Sequence, residues 1–280
     1  MSYEVSRELK EKLIFLADKY ESPSFADSDP SQFLRWYPLN QKADVETASF
    51  IAAMLAFGNR SQFIPKIRQI LELADKTSCT EKTESSNITS WIKSEKYKKD
   101  FLPANTFSQA DVSQASISQT SACDLSKKFY RFYSYQDMHV FFDELRSILM
   151  AAPSLGDYFE KECLDKGGNL YDLISAAFPK SKIVPKGKSS ANKRIHMFLR
   201  WMVRQKSPVD LGLWSWYPQS KLLIPLDVHV MQEAIKMGLL PEKAAPSHKT
   251  DLMLTECMKK VFPEDPCRAD YSLFGLGVSM

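Results

Sequence analysis

The sequence lacks the marks of several protein classes. Only 9 of its 280 residues are glycine and 15 are proline, which argues against a fibrous or wholly disordered chain. Its five cysteines form no CxxC pair, so they indicate reduced thiols rather than a structural zinc or iron–sulfur site. No run approaches the roughly 18 apolar residues of a membrane helix, and the N-terminus has no apolar signal-peptide core. We therefore expect a folded cytoplasmic protein that uses no cofactor and no metal.

Length and charge limit the number of domains and the kind of partner. The 280 residues suffice for one large domain or two closely packed lobes. A net charge of +3 permits a polyanionic partner without requiring one. The stretch 103–123 is rich in serine, glutamine and alanine, which predicts a mobile loop insertion.

Apolar residues recur at helical spacing, and no segment shows the alternation typical of a strand. The run from Val45 to Leu55 has a small apolar face, which predicts a buried helix with Asp44 as its N-cap. The stretch KKFYRFYSYQ (127–136) also has a helical pattern. Asp137 can cap a helix that follows this stretch in the sequence. The sequence therefore predicts an all-α fold of roughly ten helices.

One segment pairs two residues with catalytic potential. Lys193 lies in a predicted helix over 191–204, and Asp227 opens the next helix. A lysine becomes a Schiff-base nucleophile only when its amine is partly neutral, a form favoured by nearby cations such as Lys186 and Lys188 and by the positive end of a helix. The plainer interpretations are a solvent-facing lysine and an aspartate that caps a helix. The aspartate can serve both roles, since one oxygen can accept a backbone N–H while the other faces a cleft.

Other residues near this segment leave two interpretations open. Three tryptophans can stack on nucleobases or belong to the core. They are Trp201, Trp214 and Trp216. The lysine-rich stretch PKSKIVPKGKSS (179–190) can bind phosphates or lie as a solvated loop. No third ligand lies at metal-site spacing from His196 or His229, so we interpret both as packing or surface histidines.

Four motifs in order resemble a known enzyme superfamily. They are AFGNR (56–60), the lysine-bearing helix, LLIPLDVHV (222–230) and DPCRADYSLFGLG (265–277). This order resembles the helix-hairpin-helix DNA glycosylases, and within them the archaeal 8-oxoguanine glycosylases, whose lysine and aspartate are also separated by a longer connector. The segments FLRWMVR (198–204), DLGLW and IPLD also resemble a bacterial family of unassigned function.

The resemblance implies a two-lobed helical fold with a cleft, and it implies roles for four residues at that cleft. Lys193 would attack the anomeric carbon of a damaged nucleoside. Asp227 would assist the attack and stabilise the positive charge that develops on the sugar. Asp270 would make a polar contact with the extruded base, and Phe274 would offer it an aromatic face.

The resemblance also implies two sets of DNA contacts. One turn would enter the space that the extruded base leaves, and its residues are Phe57, Gly58, Asn59 and Arg60. A hairpin would hold the nucleic-acid backbone, and its residues are Lys186, Gly187, Lys188, Ser189 and Ser190. The implied activity is that of a monomeric DNA glycosylase and abasic-site lyase, which removes an oxidised purine or another damaged base from duplex DNA.

The hairpin departs from the superfamily pattern. Most members carry LPGVGxKTA, whereas this chain has PKGKSSANKRI with Gly187 as its one glycine. RNA or a nucleotide therefore stays open as the substrate, and so does a non-catalytic nucleic-acid-binding protein on the same scaffold. A third interpretation is a helical protein in which Lys193 and Asp227 are a surface residue and a cap. It predicts that their side chains lie far apart.

Overall fold

The computed structural model describes residues 4–26, 29–78, 87–103, 123–186 and 189–278. Helices dominate these residues, which confirms the all-α prediction. The longer helices are α1 (Arg7–Tyr20), α3 (Lys42–Leu55), α4 (Arg60–Ser78), α7 (Tyr135–Ala151), α8 (Leu155–Lys166), α9 (Leu170–Ala177), α10 (Lys193–Val203), α11 (Val228–Lys236), α12 (His248–Met258) and α13 (Ala269–Val278). The shorter ones are α2 (Pro23–Ala26), α5 (Ile88–Lys93), α6 (Tyr97–Asp100) and the 3-10 helices Pro30–Arg35, Gln219–Lys221 and Pro266–Arg268. Residues 104–122 of the predicted insertion lie outside the described ranges. No described helix has both the length and the apolarity to cross a membrane.

A β-hairpin replaces the helix predicted over 127–136. Its strands β1 (Lys128–Tyr130) and β2 (Tyr133–Ser134) pair in antiparallel fashion. Arg131 takes the left-handed backbone conformation at the turn, with a φ of 50°. The prediction that the chain contains no strand is therefore wrong for this segment, although the sheet stops at two strands in the described residues.

Aromatic packing explains this hairpin. Phe129 packs on Phe101 with ring centroids 4.8 Å apart, and Tyr130 packs on Phe57 at 5.0 Å. These contacts join residues far apart in sequence, so local periodicity contains no signal for them. In so short an apolar run, tertiary contacts decide between helix and strand.

Helix α3 runs through the core. Every residue from Asp44 to Leu55 is buried, as its small apolar face predicts. Asp44 is not the N-cap, because the helix begins earlier, at Lys42. Its carboxylate instead accepts a hydrogen bond from the backbone N–H of Thr89 at 3.0 Å, and burial raises its pKa.

Serine caps set the start of two other helices. Ser134, rather than Asp137, caps α7, and the two residues form a reciprocal capping box in which the Asp137 N–H donates to the Ser134 hydroxyl at 3.1 Å. Ser247 caps α12 by accepting a hydrogen bond from the N–H of Thr250 at 3.2 Å. This cap makes His248 the first residue of α12.

The C-terminal helix closes the core. Helix α13 packs against α1 so closely that a Cβ placed on Gly275 would lie 2.3 Å from Cγ of Tyr20. Most of the buried hydrophobic side chains of the described residues form one connected cluster. A division of that core into two lobes stays a prediction.

Candidate functional site

A cavity of about 240 Å³ opens where the starts of α10 and α11 meet α13 and the turn before α4. Seven of the residues singled out in the sequence line it. They are Phe57, Gly58, Arg60, Lys193, Asp227, Asp270 and Phe274. The fold thus brings together side chains from four separate stretches of the chain.

Lys193 and Asp227 form a direct ion pair in this cavity. The Lys193 Nζ donates to Oδ2 of Asp227 at 2.9 Å, and the two side chains are 34% and 12% exposed. The interpretation in which the Lys193 and Asp227 side chains lie far apart is therefore wrong. Oδ1 of Asp227 accepts the backbone N–H of Val230 at 2.8 Å, so Asp227 is also the N-cap of α11. One carboxylate thus caps a helix and holds the lysine.

The connector between α10 and α11 folds back along α10, because buried charges and backbone hydrogen bonds fix its first half. Arg204, at the end of α10, donates to the Asp210 carboxylate, and both side chains are buried. The N–H of Leu211 donates to the carbonyl oxygen of Trp201 at 2.8 Å, so the chain doubles back along α10. Burying a charge requires a partner, and this requirement places Asp210 beside the arginine.

The second half of the connector delivers Asp227 to the cavity. The side chains of LLIPL are mostly buried. The N–H of Ile224 donates to the Thr255 hydroxyl at 3.2 Å, and the Leu223 carbonyl accepts a hydrogen bond from the Cys267 thiol at 3.1 Å. Apolar burial and these two bonds to the C-terminal elements therefore position the start of α11.

The tryptophans near this connector belong to the core rather than to a base-stacking surface. Trp201 and Trp214 are fully buried, and Trp216 stacks on Trp214 with centroids 5.7 Å apart. Trp214 Nε1 donates to the carboxylate of Glu46 at 2.8 Å, which links the connector to α3. Burial raises the pKa of Glu46, and the bonds that it accepts oppose that shift.

Asp270 meets the cavity from α13, where a buried arginine already holds it. Arg200 Nη1 donates to Oδ2 of Asp270, and the Arg200 Nε lies 3.3 Å from Asp210. Burial raises the pKa of Asp270 to about 6, while Arg200 opposes the shift and the Asp227 carboxylate adds to it. This carboxyl group can therefore change its protonation state near neutral pH.

The ring of Phe274 carries two cations on its surface. The Lys193 Nζ lies 5.8 Å and the Arg60 guanidinium carbon 5.4 Å from the ring centroid, distances typical of cation–π contacts. Arg60 also lies 3.6 Å from the carboxylate of Asp29 at the rim. The half-buried ring is thus an apolar wall with positive groups around it.

The turn that starts at Phe57 depends on a glycine. Gly58 has a φ of 83°, a backbone conformation that residues with a Cβ rarely adopt. Asn59 has another role, since its Oδ1 accepts the N–H of Ser61 at 2.9 Å at the start of α4. Of the four predicted turn residues, Asn59 does not line the described cavity.

The predicted backbone-binding hairpin is described only in part. Gly187 and Lys188 lie outside the described residues. Lys186 is exposed and donates to the carbonyl oxygen of Pro179 at 2.5 Å. The Ser189 carbonyl accepts the N–H of His248 at 2.9 Å, and the Ser190 hydroxyl accepts the N–H of Asn192 at 3.3 Å. Their role in holding a phosphate backbone stays a prediction.

Other lining residues were not recognised as site residues in the sequence, and one of them, His229, was interpreted as a packing or surface histidine. They are Asp29, Pro30, Ala56, Phe63, Met197, Arg200, Pro225 and His229. Arg200 has a usable signal, since it lies two helical turns after Lys193 on the same face. His229 lies two residues after Asp227. Asp29 reaches the site only through the tertiary fold, so no local pattern identifies it.

The match to a known protein family covers the same residues. A family model described as "Protein of unknown function (DUF2400)" matches residues 29–114 and 103–279. These ranges include every residue that lines the cavity. No curated protein and no solved structure matches the chain.

Proposed function

The chain belongs to the DUF2400 family, and we propose that its cavity removes a damaged base from DNA through a Schiff base on Lys193. The observation that carries this proposal is the Lys193–Asp227 pair, 2.9 Å apart, beside the aromatic face of Phe274. An amine, a carboxylate and an aromatic wall are the groups that excision of a flipped base requires.

The nucleophile in this reaction is the Lys193 amine. An ammonium group cannot attack, so one proton must leave Nζ, and Asp227 Oδ2 is the acceptor in contact with it. As the glycosidic bond breaks, its electron pair leaves with the base, and the proton taken by Asp227 passes to that base. The restored Asp227 carboxylate stabilises the positive sugar, to which the neutral amine adds through an Nζ–C1′ bond. A proton then moves from Nζ to the ring oxygen as the C1′–O4′ bond breaks, which gives the protonated imine, and loss of a C2′ proton permits elimination of the 3′ phosphate.

The leaving base would occupy the cavity against Phe274. A volume of about 240 Å³ is below the roughly 300–1,000 Å³ of sites for drug-sized ligands, and it suits a group the size of one base. Asp270 and Arg200 supply polar atoms on the same wall. An acidic group that titrates near neutral pH can donate or accept a hydrogen bond at a base edge.

A hydrophobic side chain beside the cavity wall can enter the duplex. Phe132 is 64% exposed at the tip of the hairpin, and its ring lies 5.3 Å from that of Phe57 at the cavity wall. Arg131 precedes it and is exposed. Proteins that unstack DNA insert such apolar wedges beside positive side chains. We assign Phe132 this role.

A non-catalytic nucleic-acid-binding protein is the second candidate. The ion pair itself favours it, because the Lys193 amine is already engaged by the Asp227 carboxylate at 2.9 Å. This candidate predicts salt-dependent DNA binding that Asp227→Asn leaves unchanged, with no chemistry on any substrate.

The test is a strand-cleavage assay on duplexes that contain 8-oxoguanine, other oxidised purines, uracil or an abasic site. We expect base release or abasic-site cleavage by the wild type and at least a hundredfold loss in Lys193→Gln. Lys166→Gln is the matched control, since Lys166 is 62% exposed on α8 and pairs only with Glu162 among the described ion pairs. No cleavage across the panel, or equal rates in wild type and Lys193→Gln, would contradict the proposal.

A further inference from the structure

Three metal-ligating side chains meet between α10 and α12, outside the cavity. They belong to His196, His248 and Asp251 and are called here the His–His–Asp cluster. One ligand atom from each residue lies within 4.8 Å of those of the other two. The closest pair is His196 Nε2 and Asp251 Oδ2, at 3.5 Å. The sequence separates His196 from the other two by about fifty residues, and the fold closes that gap.

Each side chain of this cluster has one polar atom that is buried and unsatisfied. The side chains of His196 and Asp251 are 1% and 0% exposed. Nε2 of His196, Nδ1 of His248 and Oδ2 of Asp251 find no hydrogen-bond partner among the described residues. A buried polar atom without a partner is costly, and three such atoms on neighbouring side chains indicate a shared ligand.

The outer atoms of His248 and Asp251 are hydrogen-bonded. The Tyr171 hydroxyl lies 3.2 Å from Nε2 of His248. The Thr255 hydroxyl donates to Oδ1 of Asp251 at 3.3 Å. Metal-binding histidines and carboxylates are oriented in this way, with one atom held by a neighbour and the other left for the ion.

We propose that the His–His–Asp cluster binds a divalent first-row transition metal, with Zn²⁺ as its representative. Two imidazole nitrogens and one carboxylate oxygen suit zinc, whereas Mg²⁺ and Ca²⁺ prefer ligand sets made of oxygen alone. Three protein ligands leave one tetrahedral position for water.

The observed distances need only a small adjustment. Zinc–nitrogen bonds of about 2.0–2.1 Å place neighbouring ligand atoms about 3.3 Å apart in a tetrahedral site. The 3.5 Å between His196 and Asp251 is already close to that value. His248 is half-buried at the first position of α12, so a rotation of its side chain can bring Nδ1 inward.

The bound ion would join α10 to α12. His196 lies one turn after Lys193 on α10, so the metal would anchor the helix that begins with the cavity lysine. This role is structural, and the metal site does not depend on the proposed excision activity. Without a metal, the alternative is a proton shared between His196 and Asp251.

Calorimetric titration of the full chain, stripped with a chelator and free of DNA, tests the site with Zn²⁺. We expect one ion per chain, a higher melting temperature when Zn²⁺ is bound, and dissociation constants raised about a hundredfold or more in Asp251→Asn and His248→Gln. His229→Gln is the control and should bind as the wild type does, because His229 is exposed on α11 outside the cluster.

Titration with Co²⁺ separates this site from a cysteine site. We expect visible bands of tetrahedral cobalt without a near-ultraviolet thiolate band. If Asp251→Asn fails to fold, His248→Gln still tests the site, because His248 lies near the surface and its substitution should leave the fold intact. The shared-proton alternative predicts no stoichiometric binding of either ion. That result, a thiolate band, or unchanged affinity in the folded cluster variants would overturn the proposal.

Discussion

The two ends of helix α10 hold their charges in opposite ways. Lys193, at the start, is 34% exposed in a cavity and has one carboxylate partner within salt-bridge distance among the described residues. Arg204, just past the end, is 2% exposed and forms ion pairs with three carboxylates. They belong to Glu21, Asp210 and Asp265. The saturated arginine builds the scaffold, whereas the lysine keeps access to a ligand.

This difference identifies which charges to test for function. A buried charge with every donor engaged cannot change partners without loss of the fold. A lysine on an open cavity wall can exchange its partner for a substrate. The two residues lie on one helix, so substitutions at its ends compare scaffold with site in the same structural element.

The largest effect should follow from Arg204→Ala. The substitution removes a cation shared by three carboxylates, of which Asp210 keeps Arg200, Glu21 keeps Arg268 and Asp265 keeps no other described ion pair. We expect a loss of about 3–5 kcal/mol in the free energy of unfolding. Urea denaturation measures it. Arg7→Ala is the control, since Arg7 is 93% exposed and its loss should change the free energy of unfolding by less than about 0.5 kcal/mol. Equal effects of the two substitutions would remove the contrast between the ends of α10.

Asp227→Asn should separate capping from chemistry. Asparagine caps helices about as well as aspartate, so stability should stay within about 0.5 kcal/mol of the wild type. Base excision should fall by about a hundredfold to ten-thousandfold, because the carboxylate charge beside Lys193 is lost. Asp227→Ala should lose the same activity and also about 1 kcal/mol of stability. Activity retained in Asp227→Asn would reduce this residue to a cap.

Asp270 sharpens the comparison, because its contribution to the stability of the fold should depend on pH. Its folded-state pKa of about 6 lies above the ordinary 3.8, so the folded state binds this proton more tightly than the unfolded state. The stability that Asp270 contributes is therefore full below about pH 4 and falls by about 3 kcal/mol as the pH rises through 6. The difference in unfolding free energy between wild type and Asp270→Asn, measured from pH 4 to 7, isolates this term. A difference independent of pH would contradict the assignment.

The smallest effect concerns the hairpin tip. Phe132→Ala should weaken binding to a duplex with an abasic site about tenfold, because stacking on a base contributes about 1–3 kcal/mol. Stability should barely change, since Phe132 is 64% exposed. Phe15→Ala is the matched control with the same exposed fraction, on α1. Fluorescence anisotropy measures both affinities, and equal affinities would exclude Phe132 as a wedge.

The sequence predicted the parts of this molecule that local chemistry governs. The apolar face of α3 and the start of α11 at Asp227 follow from periodicity and capping, and the structure contains both. The short distance between Lys193 and Asp227 could be inferred only from the order of the motifs. The buried arginines that fold the connector back toward α10 cannot be recognised from any local sequence pattern. The hairpin after Lys127 was missed because its aromatic partners come from other elements.

The His–His–Asp cluster illustrates the same limit. His248 and Asp251 lie at helical spacing in the first turn of α12, which a sequence can indicate. His196 reaches them only because the fold brings α10 and α12 close to each other at this point. Ligand sets assembled from distant segments have no fixed spacing, so only the fold identifies them.

The most direct test of the account is the site of covalent capture. The wild-type protein is incubated with an abasic duplex and borohydride, and the cross-linked peptide is identified by mass spectrometry. The account predicts a single reduced adduct on the Nζ of Lys193, which disappears in Lys193→Gln and persists in Lys166→Gln. An adduct on another lysine, or equal trapping by Lys193→Gln, would contradict the assignment of Lys193 as the nucleophile.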